Sequence, residues 1–289
     1  MRRGLSLLAL AQFAIGAAAI FARFALGGGG PIAISAARLS LAAIPIVILA
    51  LLRGAYRVRD VATERRLAYA AIALALHFAL WIASLRYASV AVSTLLVCST
   101  PIWTELYAVA RTRRARPIVI ASVLLALAGV AIVVGLPSKT ETPLGIALAI
   151  GGAIAIAIYL VLVRASDARY GTLDVIARTY PGAAIVLLAL AFAFHDPFPA
   201  GTATLAWGGI IAMALISQLF GHTALNAAVR RLSPTFVATA TLIEPAIAGA
   251  LAAVIFHERL TSGTLAGAII ILTAIGIAVR AERAATTVS

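Results

Sequence analysis

Charge is scarce in this sequence: 11% of its 289 residues are Asp, Glu, Lys or Arg, against about 25% in an ordinary soluble domain. Cysteine is scarcer still. The single Cys98 excludes an internal disulfide and a cysteine-based metal cluster. No GxxxxGK[ST] loop is present, so ATP hydrolysis cannot drive the protein directly. The four glycines at 27–30 follow no strand and are read as a loop, not a nucleotide fingerprint. HERLT at 257–261 has Thr261 where a zinc peptidase needs its second histidine. Neither a pair of intramembrane aspartates nor a GxSxG serine appears. No joint between apolar runs is long enough to fold by itself.

What the chain has instead is apolar length. Hydrophobic residues make up 63% of it and the mean hydropathy is +1.07. Reading for runs of about 20 residues, the length that crosses a bilayer as helix, gives ten. They lie near 4–26, 31–52, 67–85, 89–110, 117–136, 143–163, 175–194, 205–228, 234–256 and 263–280. The N-terminal run also has features of a signal peptide, two arginines and an AAA. Cleaving it would leave nine spans without improving the charge distribution, so it is read as the first span.

With the N-terminus in the cytoplasm, seventeen of the 23 Lys and Arg residues fall inside and four outside, namely Arg23, Arg86, Lys139 and Arg259. Arg38 and Arg178 remain within spans. This is a strong positive-inside bias, with both termini cytoplasmic in the inner (plasma) membrane. It also accounts for the formal charge of +13: the arginines meet anionic headgroups, and nucleic acid is not expected as a partner.

The two halves repeat. Placing Pro101 of the fourth span on Pro245 of the ninth also aligns Arg86 with Arg230 and Ser89 with Ser233. Arg38 in SAARLS likewise answers Arg178 in VIARTY. The chain therefore divides into residues 1–137 and 138–289, five spans each, and an odd number turns the second half over. Inverted repeats of this kind suit alternating access about a site near the bilayer midplane. The expected fold is an all-α membrane protein: ten transmembrane helices as two inverted five-helix repeats around a central cavity.

WIASLRYASVAVSTLLVCSTPIW and LNAAVRRLSPTFVATATLIEPAIAGALAAVIFHERLTSGTLAGAIIILTAIGIAV resemble the two EamA-type units of the drug/metabolite transporter superfamily. The second unit carries the helix end at 228–233, the mid-helix Glu244–Pro245 and Glu258–Leu260. The first matches at Arg38, Ser84–Ala88 and Pro101, but has Thr100 where the second has Glu244. The resemblance spans nearly the whole chain and implies a ten-helix bundle that exports small metabolites by secondary transport. It is most like the YddG-type exporters of aromatic and neutral amino acids, on overall length and on an aromatic, weakly charged set of candidate cavity residues.

Residues three, four or seven apart share a helix face, and polar groups at membrane depth turn toward a bundle interior or a wet cavity. His77, Trp81 and Ser84 form such a stripe in the third span, and Gln218, His222 and Asn226 in the eighth. Thr94, Cys98, Pro101 and Glu105 share a face of the fourth, with Ser99, Thr100 and Trp103 close by. Gln12 and Gly16 in the first span, and Gly152 and Tyr159 in the sixth, complete the expected lining. Interhelical hydrogen bonding is the alternative role of the polar stripes, and the interfacial belt is the alternative for the tryptophans. Pro101 and Pro245 each free a carbonyl one turn earlier. The fifth and tenth spans, poor in polar residues, are expected at the lipid-facing periphery.

Glu244 stands apart, since an uncompensated acid in a lipid core costs roughly 2.5–3.5 kcal/mol. Three roles compete: a protonated carboxyl bonded to a freed backbone group, an ion pair with Arg38 or Arg178, and a proton-coupling carboxylate facing the cavity. The same transporter fold also serves multidrug export, and a channel or an intramembrane enzyme is the further alternative. The expected partners are a small-molecule substrate and the lipid bilayer, with the protein a monomer or homodimer. Neither a cofactor nor a metal is expected.

Overall fold

The computed structural model describes residues 2–88, 90–134, 142–255 and 262–287, and their regular structure is helical throughout. In the first half run α1 (Arg2–Gly16), α2 (Ala18–Leu26), α3 (Pro31–Leu52), α4 (Val61–Ser84), α5 (Val90–Val97), α6 (Thr100–Thr112) and α7 (Pro117–Val134). The second half holds α8 (Pro143–Arg164), α9 (Thr172–Ala193), α10 (Thr204–Ala212), α11 (Thr223–Val229), α12 (Pro234–Ala240), α13 (Glu244–Ile255) and α14 (Ser262–Thr287). A π-helical stretch, Met213–His222, joins α10 to α11, and a 3-10 turn, Thr241–Ile243, joins α12 to α13.

The helix starts follow from local chemistry. The first amides of a helix have no intrahelical acceptor, and a proline there loses nothing. Pro31, Pro143 and Pro234 each occupy the first turn of their helices. Thr142 caps α8 by accepting from Gly145 N, and Ser233 caps α12 by accepting from Phe236 N. Asp60 caps α4 by accepting from Thr63 N at 2.7 Å. That cap starts the helix at Val61, six residues before the apolar run expected from 67, so its polar first turns project beyond the apolar span. Ser89, the partner aligned with Ser233, lies outside the described residues, as do Lys139 and the HERLT stretch.

Six helical stretches among the described residues are long and apolar enough to cross a membrane: Gly4–Leu26, Pro31–Leu52, Val61–Ser84, Pro143–Arg164, Thr172–Ala193 and Thr204–Val229. Shorter apolar helices cover Pro117–Gly129, Pro234–Ala248 and Leu265–Ala281. Large apolar side chains face outward over the bundle, Phe13 at 71% and Phe192 at 70% exposed. In water such a surface would be costly, and in lipid it is neutral, so the chain is a multi-pass membrane protein.

Helices of the first half pack against helices of the second, running opposite ways. At one end of the α4–α8 pair, Thr142 N donates to Tyr87 O at 3.0 Å; at the other, Arg66 Nη1 donates to Ala165 O at 3.3 Å. Helices α3 and α9 are held at both ends too. Asp196, just after α9, accepts from Ile32 N and Ala33 N at 2.7 and 2.8 Å, while Tyr56 and Arg178 bridge the far end. The α1–α2 rod lies beside α10–α11, Gly4 near Leu232 and Gly28 near Ala206. Helix α7 meets α14 where Gly129 approaches Gly267 O so closely that a Cβ would lie 2.9 Å from it. Leu124 of α7 and Leu265, Ile269 and Leu272 of α14 face outward, in keeping with a peripheral position.

Candidate functional site

A cavity lies where the two halves meet. Its charged and aromatic lining is Arg38 from α3, His77, Phe78 and Trp81 from α4, His222 from the π-helical stretch and Glu244 at the start of α13. Thr94, Cys98, Thr100 and Thr241 add small polar groups, and Gly16, Ile156 and Leu160 close the wall. Water molecules can be centred over about 70 Å³ of it, several times the roughly 10–15 Å³ that one water needs.

Two interrupted helices give the cavity its floor. Pro101 and Pro245 deprive the carbonyls of Val97 and Thr241 of their α-helical donors. Each carbonyl finds another. Thr100 Oγ1 donates to Val97 O at 2.7 Å, and Cys98 Sγ lies 3.9 Å from Thr241 O. The breaks therefore touch one another across the interface between halves, and both expected free carbonyls are already occupied.

The aromatic wall is held from behind. His77 Nδ1 lies 2.9 Å from Gly152 O on α8. A carbonyl accepts only, so Nδ1 carries the proton and Nε2 is the remaining ring nitrogen. The His77 ring is parallel to that of Trp81 at 6.2 Å, and His222 meets Phe78 edge-on at 5.3 Å. Arg38 sits over Phe78 with its guanidinium carbon 4.1 Å from the ring centroid, and Arg38 Nη2 donates to Gln218 Oε1 at 2.9 Å. Arg38 Nε and Nη1, Gln218 Nε2, Trp81 Nε1 and His222 Nδ1 are buried without a protein partner. The Glu244 carboxyl makes no hydrogen bond or ion pair among the described residues, while its backbone N–H donates to Thr241 O.

Of the residues expected from sequence, Gly16, Arg38, His77, Trp81, Thr94, Cys98, Thr100, His222 and Glu244 line this cavity. The others stand elsewhere. Gln12 is buried on α1 with both amide atoms unpartnered. Ser84 bonds Ser93 Oγ at 2.6 Å, and Gln218 stands behind Arg38. Tyr159 donates to Asn226 Oδ1 at 2.6 Å, and Asn226 Nδ2 donates to His222 O at 2.7 Å, forming a bonded pair behind the histidine. Pro245 is buried at the break rather than on the wall. Ser99, Pro101 and Trp103 are turned off the lining, Trp103 Nε1 donating to Ser99 Oγ at 3.3 Å. The reason is the turn at Cys98–Ser99: a helix face keeps its phase only while the helix is unbroken, so α6 does not continue the stripe of α5.

Glu105, on the same expected face, pairs with Arg116 at 2.7 Å instead. Arg178 is not at the cavity either. It donates to Glu64 Oε2 at 2.7 Å, to Ala55 O at 2.8 Å and to Asp174 O at 3.0 Å. Tyr170, whose hydroxyl donates to Glu64 Oε1 at 2.8 Å, and Arg59, bonded to Asp174 at 2.8 Å, complete that cluster at the arginine-rich end. Neither arginine forms the ion pair with Glu244 that sequence allowed. Phe78 and Thr241 are wall residues that sequence reading missed; within continuous apolar runs, nothing distinguishes an inward phenylalanine from a lipid-facing one.

A solved crystal structure of another protein is similar over 97% of this chain and 97% of its own, with a TM-score of 0.79 at 18% identity, a likeness in fold alone. No curated protein matches the chain. The model of the EamA-like transporter family matches twice, over residues 2–135 and 143–280, once in each half of the antiparallel packing described above. By that double match over nearly its full length, the chain belongs to the EamA-like transporter family, a family of transporters rather than enzymes.

Proposed function

We propose that the protein exports small metabolites, aromatic and neutral amino acids foremost, across the inner membrane by alternating access. In this reading ten spans form two inverted repeats, residues 1–137 and 138–289, with both termini in the cytoplasm. The halves rock about the cavity, driven by a proton or substrate gradient, and no cofactor takes part. The observation that carries it is the cavity itself: one arginine and one glutamate, not paired with each other, beside a stacked His77–Trp81 wall. Aromatic faces suit an apolar side chain, and a pair of helix breaks at matching positions in two halves is the usual mark of a transporter site. Glu244, unbonded and facing the cavity, is the candidate coupling carboxylate, a role that the absence of an arginine partner favours over the structural ion pair.

Counterflow of labelled L-tryptophan into proteoliposomes tests the proposal. Saturable uptake driven by internal unlabelled tryptophan supports it; absence of counterflow with any neutral amino acid refutes the substrate. Non-saturable flux far above about 10³ per second points to a channel. Glu244→Gln is expected to bind tryptophan more weakly than the wild type and to transport it without dependence on pH.

A further inference from the structure

We propose that Arg38 is the carboxylate anchor of the cavity and that, with Glu244, it selects ligands carrying a carboxylate beside an ammonium. This rests on the amino-acid reading above and assigns the residue that would enforce it.

Arg38 is fully buried, in the middle of the bundle. A guanidinium has five N–H donors, and the protein engages one of them, at Gln218. Nε and Nη1 have no protein partner. Nη2 carries two hydrogens, one beside Nε and one beside Nη1. Whichever of these Gln218 engages, one edge of the guanidinium keeps two parallel N–H groups open. Such an edge matches the two oxygens of a carboxylate. The Phe78 ring lies against the guanidinium and Gln218 fixes one corner, so the fork is oriented before any ligand arrives.

The charge arrangement gives the second half of the argument. Glu244 is the one acid among the described lining residues, and Arg38 and Glu244 do not form an ion pair. Two opposite charges in one low-dielectric cavity, each without a counter-charge in direct contact, are costly as they stand. A zwitterion removes both costs together, its carboxylate on Arg38 and its ammonium on Glu244. A ligand lacking either charge leaves one protein charge uncompensated. The His77–Trp81 wall would then receive the ligand's apolar portion.

Binding of L-tryptophan, L-tryptophanamide and tryptamine to the purified full chain in detergent tests the assignment. The amide and the amine both lack the carboxylate and keep the indole and the ammonium. The wild type is expected to bind tryptophan at least about tenfold more tightly than either, the scale of a charge-assisted hydrogen-bonded pair. R38Q removes that preference by weakening tryptophan binding, with no loss of tryptamine affinity since one like charge is gone from the cavity, and R38K, a point charge without the planar fork, keeps part of it. Equal affinities of the wild type for all three ligands overturn the anchor whatever the variants do, and leave export of amphipathic amines standing. Preference retained in R38Q also overturns it. A wild type that binds none of the three refutes the amino-acid reading and the anchor together.

Discussion

The thiol of Cys98 lies 3.9 Å from the carbonyl oxygen of Thr241, joining the two interrupted helices at the carbonyl that Pro245 deprives of a donor. Because Cys98 is the single native cysteine, the contact can be read chemically. Thr241→Cys places a second thiol on the same cavity wall. Oxidation is expected to give an intramolecular disulfide, seen as a gel-mobility shift reversed by dithiothreitol. Two thiols that both alkylate freely after oxidation would mean that the breaks do not meet.

At Gly16, α1 packs tightly against α13. A Cβ there would sit 2.7 Å from Ile247 Cγ2. Gly16→Ala should destabilise the protein by about 1–3 kcal/mol, the usual range for overpacking. Ile247→Ala removes the nearer of the clashing atoms, so the double variant should recover part of the loss. Thermal melting of the four proteins in detergent gives the coupling, and strict additivity would deny the close approach.

The Arg178–Glu64 pair is 10% and 25% exposed and stands outside the cavity lining. Arg178→Gln strips a charge-assisted bond and leaves Glu64 with Tyr170 alone, costing roughly 2–3 kcal/mol. Ligand affinity should not change, in contrast to Arg38→Gln. Measuring melting temperature and tryptophan affinity in both variants separates the two arginines. An Arg178→Gln variant of normal stability and lost affinity would reverse their roles.

Asp167, in the loop before α9, accepts from Arg169 Nη2 at 2.8 Å and from Arg169 N at 2.8 Å, and these bonds hold its carboxyl at about 2. A depressed carboxyl stabilises the fold above its unfolded value, 3.8, and loses that contribution as pH falls toward 2. The pair is solvated, so the effect is small. Wild type should melt slightly above Asp167→Asn at neutral pH, and the difference should shrink as the solution is acidified below pH 3.8. A difference that grows on acidification would contradict the sign.

Much of this architecture was legible along the chain because its causes are local. Pro31, Pro143 and Pro234 start helices wherever they stand, since a proline at the first turn forfeits no hydrogen bond. His77, Trp81 and His222 sit at membrane depth among apolar residues and line the cavity, as polar and amphipathic groups at that depth generally do. Of the face expected through Thr94, Cys98, Pro101 and Glu105, the first two line the cavity and the last two do not, for an equally physical reason: the turn at Cys98–Ser99 resets the helical phase, and spacing rules hold only within one continuous helix. Gln218 was expected on the wall beside His222; it stands behind the arginine that it orients.

Sequence alone determined that this chain lives in lipid and that its halves repeat, because hydropathy and helix punctuation are carried by residues close together in the chain. Tertiary structure decided which groups share a pocket. Arg38 and Gln218 are 180 residues apart and bonded, while Arg38 and Glu244 face one cavity without pairing. Which partner a buried charge finds depends on distances between helices, and no periodicity along one helix encodes those.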